Sequence, residues 1–167
     1  MIGNVALQAT GTVRGVYFSL GTTPTKDPKF DCAGALIDLF SKAKKTAHVA
    51  IYSLTEPDIV NAMINAHKRG VEVIIVADST ESKNSYMAAM IHKLTQAGVD
   101  IRIATRQTAL MHNKVAIVDA QTVATGSYNY TLNAELRNDE NLIIIDGKDV
   151  AADYEKYVFQ RILKNES

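Results

Sequence analysis

One short stretch of the chain combines an imidazole, an ammonium group, a hydroxyl and an amide at fixed spacing. It runs from His112 to Asn129 and follows the pattern H-x-K-x4-D-x6-G-S-x-N. If folding brings these groups together, they suit a phosphodiester. The cation and the amide hold its non-bridging oxygens, and the imidazole attacks phosphorus or moves a proton. The elements around the stretch must therefore place its two ends side by side.

A hairpin of two short strands is predicted to do this. Residues 115–118 are apolar and β-branched, which indicates a buried strand. Side chains alternate between faces along a strand, so His112 and Lys114 lie on the same side. A turn and a second strand at residues 122–125 lead back toward them. All four groups then converge at one end of a sheet.

The stretch resembles the HKD motif of the phospholipase D superfamily. Every defining position is present, and they are His112, Lys114, Asp119, Gly126, Ser127 and Asn129. The alternative interpretation is a core strand ending in a turn, with the histidine buried and hydrogen-bonded. Five polar positions in register favour the motif. A weaker similarity, to small bacterial members of the superfamily, extends over residues 52–59.

The resemblance implies a two-step reaction. One histidine attacks phosphorus and forms a phosphohistidine, while a second protonates the leaving oxygen and then activates water. Large members of the superfamily carry two motifs, whereas this chain carries one. The resemblance therefore implies a symmetric homodimer, with the active site at the interface and a His112 from each subunit.

Four further residues are assigned roles beside the histidine and the lysine. The resemblance implies an acidic residue that hydrogen-bonds the imidazole, and Glu140 is preferred to its neighbour Asp139 for this. Asp119 is expected to tie down the hairpin turn. Gly126 is expected to meet a backbone requirement, either a positive φ or a close approach. Ser127 is expected to orient the other groups by hydrogen bonding.

The remaining pattern predicts one α/β domain over residues 1–167, with a mixed, largely buried sheet and helices on both faces. The superfamily's α-β-α sandwich is the same architecture. Asp31 and Thr55 are the predicted caps of the first two helices. Beyond the hairpin, the predicted strands are 13–19, 48–54, 71–77, 99–104 and 141–145, and the predicted helices are 31–45, 55–69, 85–96 and 150–163, with a short helix or turn at 128–137.

The charge balance bears on the substrate. Lysine plus arginine and aspartate plus glutamate both total 18, so the net charge is zero and a nucleic-acid site would have to be a local basic patch. The candidates for substrate binding are Arg106, Lys68 and Arg69. The first interpretation is a nuclease similar to the small bacterial endonucleases of the superfamily. The alternatives are a phospholipase and a non-catalytic nucleic-acid-binding module.

No metal or other cofactor is predicted. The histidines lack metal-ligand spacing, no carboxylate cluster suggests a two-metal site, and Lys114 can compensate the phosphate charge. The single cysteine excludes an internal disulfide. No signal peptide and no apolar run of about 20 residues is visible, so no membrane span is predicted. Localisation, cytoplasmic or exported, stays open.

Overall fold

A mixed β-sheet of seven strands organises the chain. The computed structural model describes residues 8–21, 27–104 and 109–164. The strands are β1 (Thr12–Leu20), β2 (Thr46–Ile51), β3 (Glu72–Asp78), β4 (Asp100–Ala104), β5 (Lys114–Val118), β6 (Thr122–Gly126) and β7 (Asp139–Asp146), in the spatial order β1-β7-β6-β5-β2-β3-β4. Neighbours among β2, β3 and β4 are parallel, and the other pairs are antiparallel.

Helices cover both faces of the sheet. They are α1 (Cys32–Lys42), α2 (Pro57–Lys68), α3 (Ser85–Gln96), α4 (Leu132–Leu136), α5 (Lys148–Tyr154) and α6 (Gln160–Lys164). A π-helical turn at Glu155–Phe159 joins the last two. The predicted α/β class, with a mixed sheet between helical layers, is confirmed. Among the described residues, no helix combines the length and the apolar character needed to cross a bilayer.

Alternating side chains divide the core into two clusters. Along β2, Val49 and Ile51 join the larger cluster with residues of α1, α2 and α3, such as Phe40 and Met63. Ala50, between them, joins a smaller cluster on the other face with Phe159 from the π-helical turn. Both faces are thus apolar, as expected for strands covered on both sides. This explains why β2, β3 and β5 lack an obvious polar face.

Helix ends agree with the sequence prediction at the Asp31 cap of α1 and at both ends of α3, and they differ in other places. Asp31 caps α1, since its carboxylate accepts a hydrogen bond from the Gly34 N–H at 2.6 Å. The prediction of Thr55 as the next cap is wrong, because Glu56 is the N-cap of α2. The N–H groups of both residues bond the Tyr130 carbonyl, so a distant segment sets this start. The last helical stretch begins at Lys148 and is interrupted by the π-helical turn.

The β5–β6 turn is tied to the rest of the sheet by Asp119. This residue and Ala120 both adopt positive φ, 55° and 51°. The Asp119 carboxylate accepts the backbone N–H groups of Lys44, Lys45 and Thr46 at 2.7 to 3.1 Å. Burial alone would raise its pKa, but these hydrogen bonds outweigh that effect and the pKa is lowered. The aspartate of the motif therefore holds the turn against the segment that leads into β2.

Replacing Asp119 by Asn is expected to destabilise the fold at pH 7 by about 1–3 kcal/mol, because hydrogen bonds to a charged acceptor are lost. A lowered pKa stabilises the folded state above the unfolded pKa, near 3.8, and the gain disappears as pH falls through the folded pKa. Urea unfolding at pH 7 and pH 3 measures this. The exposed Asp153→Asn is the control and should stay within about 0.5 kcal/mol. An equal difference between wild type and Asp119→Asn at both pH values would contradict the assigned charge effect.

Candidate active site

His112 and Lys114 share a contact with one aromatic ring. The imidazole of His112 is solvent-exposed and packs against the Tyr52 ring, with centroids 4.5 Å apart and planes tilted by 58°. The Nζ atom of Lys114 lies over the same ring, 4.9 Å from its centroid. Tyr52 follows β2 directly, and its N–H donates to the Asn113 carbonyl at 2.8 Å. The ring thus fixes the relative position of an exposed imidazole and a cation.

Lys114 is a cation held at the margin of the core. It opens β5, pairs with Ile51 at the end of β2, and is 7% exposed. Its Nζ donates to the His112 carbonyl at 2.8 Å. Burial lowers the pKa of the ammonium, and the negative charge of Glu140 opposes this shift. A poorly solvated ammonium interacts strongly with an incoming anion, so Lys114 is suited to bind a phosphate oxygen.

Asn129 lies at the same end of the sheet as Lys114, three residues after the end of β6. The backbone after it pairs with the segment after β2, where the Tyr130 N–H donates to the Ser53 carbonyl at 3.1 Å. Asn129 and Tyr52 line the same cavity. The Oδ1 atom of Asn129 is buried and has no hydrogen-bond partner in the described part of the chain. Unpaired buried polar groups are uncommon and concentrate at functional sites, so this amide is a candidate substrate ligand.

Gly126 and Ser127 are both set by the neighbouring strand β7. A side chain on Gly126 would collide with the backbone oxygen of Asn141, so a close approach explains this glycine. The Ser127 Oγ accepts hydrogen bonds from the backbone N–H and the Nδ2 of Asn141, at 3.1 and 3.3 Å. Ser127 therefore holds the loop after β6 in place, and its side-chain hydrogen bonds to described residues are with β7 rather than with His112.

Glu140 lies near Lys114 and pairs with a different group from the one predicted. Its Oε1 accepts a hydrogen bond from Nδ2 of Asn138 at 3.0 Å. Its negative charge opposes part of the lowering that burial causes in the pKa of the Lys114 ammonium. Among the described residues, the structure shows no hydrogen bond from Glu140 to the His112 ring. The expected carboxylate–imidazole contact therefore stays a prediction.

The site is also held in position by two residues that the sequence analysis did not assign to it. The buried carboxylate of Asp78, at the end of β3, accepts the Met111 N–H at 2.8 Å and also the Thr80 and Glu81 N–H groups. It thereby anchors the residue before His112. Tyr52 is the second. Two features of the sequence could have pointed to these residues. Tyr52 lies in the stretch that is similar to small bacterial members, and Asp78 lies at the carboxyl end of a parallel strand.

The three substrate-binding candidates have different outcomes. Arg106 lies outside the described residues. Lys68 and Arg69 lie at the C-terminal end of α2, where the chain returns to the start of β3. They therefore lie at the end of the sheet opposite to the one that holds Lys114. The Arg69 guanidinium also donates to the Phe40 carbonyl at 2.8 Å, closing the end of α1. The structure does not bring these two residues to the site.

The residues that meet at this site are suited to bind anionic oxygens and to react beside them. An exposed imidazole, a desolvated ammonium and an amide meet at the carboxyl end of the parallel strands, where α/β proteins place ligands. No group of three or more His, Cys, Asp or Glu side chains in the described ranges is arranged to hold a metal ion. The positive charge available beside the imidazole is that of Lys114.

Comparison with known proteins decides the family. Residues 36–163 match the family described as cardiolipin synthase, PLD-like domain. The chain belongs to the phospholipase D superfamily. A phospholipase D of Rickettsia prowazekii is 34% identical over 134 residues, covering 80% of this chain and 64% of the relative. The chain thus spans less than two thirds of that curated relative of the phospholipase D superfamily.

Solved structures extend the phospholipase D-like assignment to the fold. The phospholipase D family member Nuc from Salmonella typhimurium superimposes with a TM-score of 0.81 and 29% identity, covering 93% of this chain and 96% of that one. NucT from Helicobacter pylori gives a TM-score of 0.74 and 26% identity, covering 90% and 97%. Small bacterial members of the superfamily therefore share nearly the whole fold.

Proposed function

We propose that this protein is a phosphodiesterase, and specifically an endonuclease that hydrolyses DNA or RNA. The observation that carries the proposal is the placement of the Lys114 ammonium and the exposed His112 imidazole on one tyrosine ring, with Asn129 at the same cavity. This arrangement offers a nucleophile beside two groups that bind phosphate oxygens. Similarity to Nuc over almost the full length of both chains supports a small bacterial enzyme of the same kind.

The reaction proceeds in two displacements at phosphorus. A ring nitrogen of His112 attacks, the bond from phosphorus to the leaving oxygen breaks, and a second histidine gives its proton to that oxygen. The same second histidine then takes a proton from water, which attacks phosphorus and breaks the bond to the first imidazole. Lys114 and Asn129 stabilise the charge on the non-bridging oxygens in both steps. Lys114 supplies the charge compensation, so hydrolysis is expected to need no metal.

The second histidine is proposed to come from a second copy of the chain. His48 is committed elsewhere, since its Nδ1 lies 2.9 Å from Glu155 and its ring stacks on Phe159. An exposed apolar strip on β1 gives a surface for association, because Val16, Phe18 and Leu20 are 37 to 43% exposed. The strand register places this strip at the height of the motif, because Tyr17 of β1 pairs with Leu142 of β7, and Leu142 pairs in turn with Gly126 of β6. A homodimer would bury this strip and complete the site.

The substrate class is tested by direct assay with a chelator. We expect the protein to cleave single- or double-stranded DNA or RNA in excess EDTA, because Lys114 provides the positive charge. Phosphatidylcholine and cardiolipin vesicles are assayed in parallel. His112→Asn protein is the control for contaminating nucleases. Cleavage that is lost in EDTA and restored by Mg²⁺ would contradict the metal-free mechanism, and hydrolysis of lipid alone would replace the nuclease by a phospholipase.

The shared site predicts how activity depends on subunit composition. Wild-type and His112→Asn chains are denatured together and refolded, with random mixing verified by mass spectrometry. Heterodimers hold one histidine of the pair and lack either the nucleophile or the general acid. Activity is therefore expected to follow the square of the wild-type fraction, so an equal mixture keeps roughly a quarter. A linear dependence, with roughly a half retained, would show that each subunit works alone.

A further inference from the structure

A cavity of about 500 Å³ opens beside the candidate active site. Tyr52 and Asn129, which belong to the site, form part of its wall. The rest comes from the segments that follow β2, β3 and β6 at the same end of the sheet, including the first turns of α3 and α4. These residues are Ser53, Thr55, Glu81, Asn84, Tyr86, Thr131, Leu132 and Asn133. Its size falls in the range of small-ligand sites. A group attached to a phosphate held by Lys114 can therefore enter it.

The lining shows what kind of group this cavity takes. Among the described residues that line it there is no lysine or arginine, and Glu81 is the one charged residue of that set. The carboxylate of Glu81, together with Asp78, adds to burial in raising the pKa of the Tyr52 phenol. A second phosphate would be repelled here. A neutral group that carries hydrogen-bond donors would find an acceptor in Glu81, and it would find side-chain amides in Asn84 and Asn133.

One wall offers a stacking platform. Tyr86 is 74% exposed although it is a large aromatic side chain, and it stands in the first turn of α3. Its backbone N–H bonds the Asn84 Oδ1 at 2.9 Å, which fixes the start of the helix and leaves the Asn84 Nδ2 to donate elsewhere. An exposed aromatic face beside amides and a carboxylate is the combination that proteins use to bind unpaired nucleobases.

A lipid fits the same lining less well. An acyl chain needs apolar walls, and Leu132 is the one aliphatic residue among the described residues of the lining. A cationic headgroup is usually held by several aromatic faces. The Tyr52 ring is already occupied by the Lys114 Nζ, which leaves Tyr86 alone. The lining therefore favours a nucleobase.

We propose that this cavity binds one unpaired nucleobase of the nucleotide next to the scissile phosphate, with Tyr86 as the stacking surface and Glu81, Asn84 and Asn133 facing its polar edge. The proposal rests on the nuclease function proposed above. A base inside a duplex is stacked and paired, so it must leave the helix to enter. Single strands are accordingly the better substrate.

The test uses single-stranded DNA oligonucleotides in which one phosphodiester is cleavable and the others are methylphosphonates. In matched versions, the nucleotide on the 5′ or the 3′ side of the cleavable bond is replaced by an abasic tetrahydrofuran. We expect wild type to lose at least about tenfold in kcat/KM when the bound base is removed, the size of effect of one lost aromatic stack. We expect Tyr86→Ala to cause the same loss on the base-containing substrate and no further loss on the abasic one.

Two further variants keep the result specific. Tyr86→Phe retains the ring and should restore the preference for the base-containing over the abasic substrate that Tyr86→Ala loses. Tyr157→Ala removes another exposed tyrosine, on the π-helical turn, and should also cleave like wild type. Equal cleavage of base-containing and abasic substrates by wild type would overturn the nucleobase site while leaving the nuclease function intact, and so would an equal loss on both substrates in Tyr86→Ala.

The lipid outcome is separate. If wild type cleaves no oligonucleotide but hydrolyses phosphatidylcholine vesicles, the proposed nuclease function fails. Slower vesicle hydrolysis by Tyr86→Ala would then assign the cavity to a lipid headgroup instead of a nucleobase.

Discussion

Replacing His112 by Asn is expected to lower phosphodiester turnover by at least about 10³-fold. In a shared site every His112→Asn dimer loses both the nucleophile and the general acid, and each role alone contributes a large factor. The fold should survive, because the imidazole is exposed and packs against the Tyr52 ring at the surface. Steady-state kinetics on a fluorescent oligonucleotide, with thermal unfolding as the check on folding, measures this.

A matched histidine variant separates chemistry from general damage. His92 is exposed on α3, and His92→Asn should retain wild-type turnover and stability. Nearly wild-type cleavage by the His112→Asn protein would remove the histidine from the mechanism. A phosphohistidine trapped by quenching wild-type reactions in denaturant at alkaline pH, where the P–N bond is stable, and absent in the variant, would give the direct chemical evidence.

Replacing Lys114 by Ala is expected to lose about 2–4 kcal/mol of transition-state stabilisation, the range for one preorganised donor. This corresponds to roughly 30- to 1,000-fold. Lys114 as a residue is 7% exposed and burial desolvates its ammonium, so the interaction of that ammonium with charge developing on the phosphate oxygens is weakly screened. Asn129→Ala should show a loss in the same range. The loss should appear mainly in turnover.

The kinetic pattern of these variants distinguishes catalysis from binding. A change confined to the substrate dissociation constant would make Lys114 and Asn129 binding groups. Lys93→Ala removes an exposed lysine of α3 and serves as the charge control. Wild-type turnover by Lys114→Ala would show that another group compensates the phosphate charge.

The sequence by itself determined the local parts of the site. The strand, turn and strand around the motif follow from a β-branched run and its alternation, and the structure has β5 and β6 in those places. The Asp31 cap of α1 is similarly local, because its carboxylate bonds an N–H three residues away. Such features depend on neighbours in the chain, so their signal is written in adjacent residues.

Burial also could be predicted for the strands. β3 is almost continuously apolar, which indicated a sheet covered on both faces, and its side chains are shared between the two core clusters. The alternation of faces is a property of the extended backbone and needs no tertiary information. The fold class was therefore accessible from the sequence, and the comparison with Nuc agrees with it.

Only the tertiary structure decided which distant residues complete the site. Tyr52 and Asp78 reach His112, Lys114 and Met111 through contacts between elements far apart in the chain. Spacing along the sequence carries no information on such pairs. At the start of α2 both kinds of contact occur, because the Glu56 carboxylate accepts the nearby Asp58 N–H at 3.3 Å, while the backbone bond to the Tyr130 carbonyl comes from a distant segment.

The positions of charged residues were the least predictable from the sequence. Lys68 and Arg69 were candidates for a substrate channel by residue type alone, yet α2 carries them to the end of the sheet opposite to the one that holds Lys114. Glu140 has the expected place near the motif, but its hydrogen bond in the structure is with Asn138. A charged side chain is long and can bond many different partners. Which partner it bonds depends on how the helices and strands pack, and the residue type does not specify that packing.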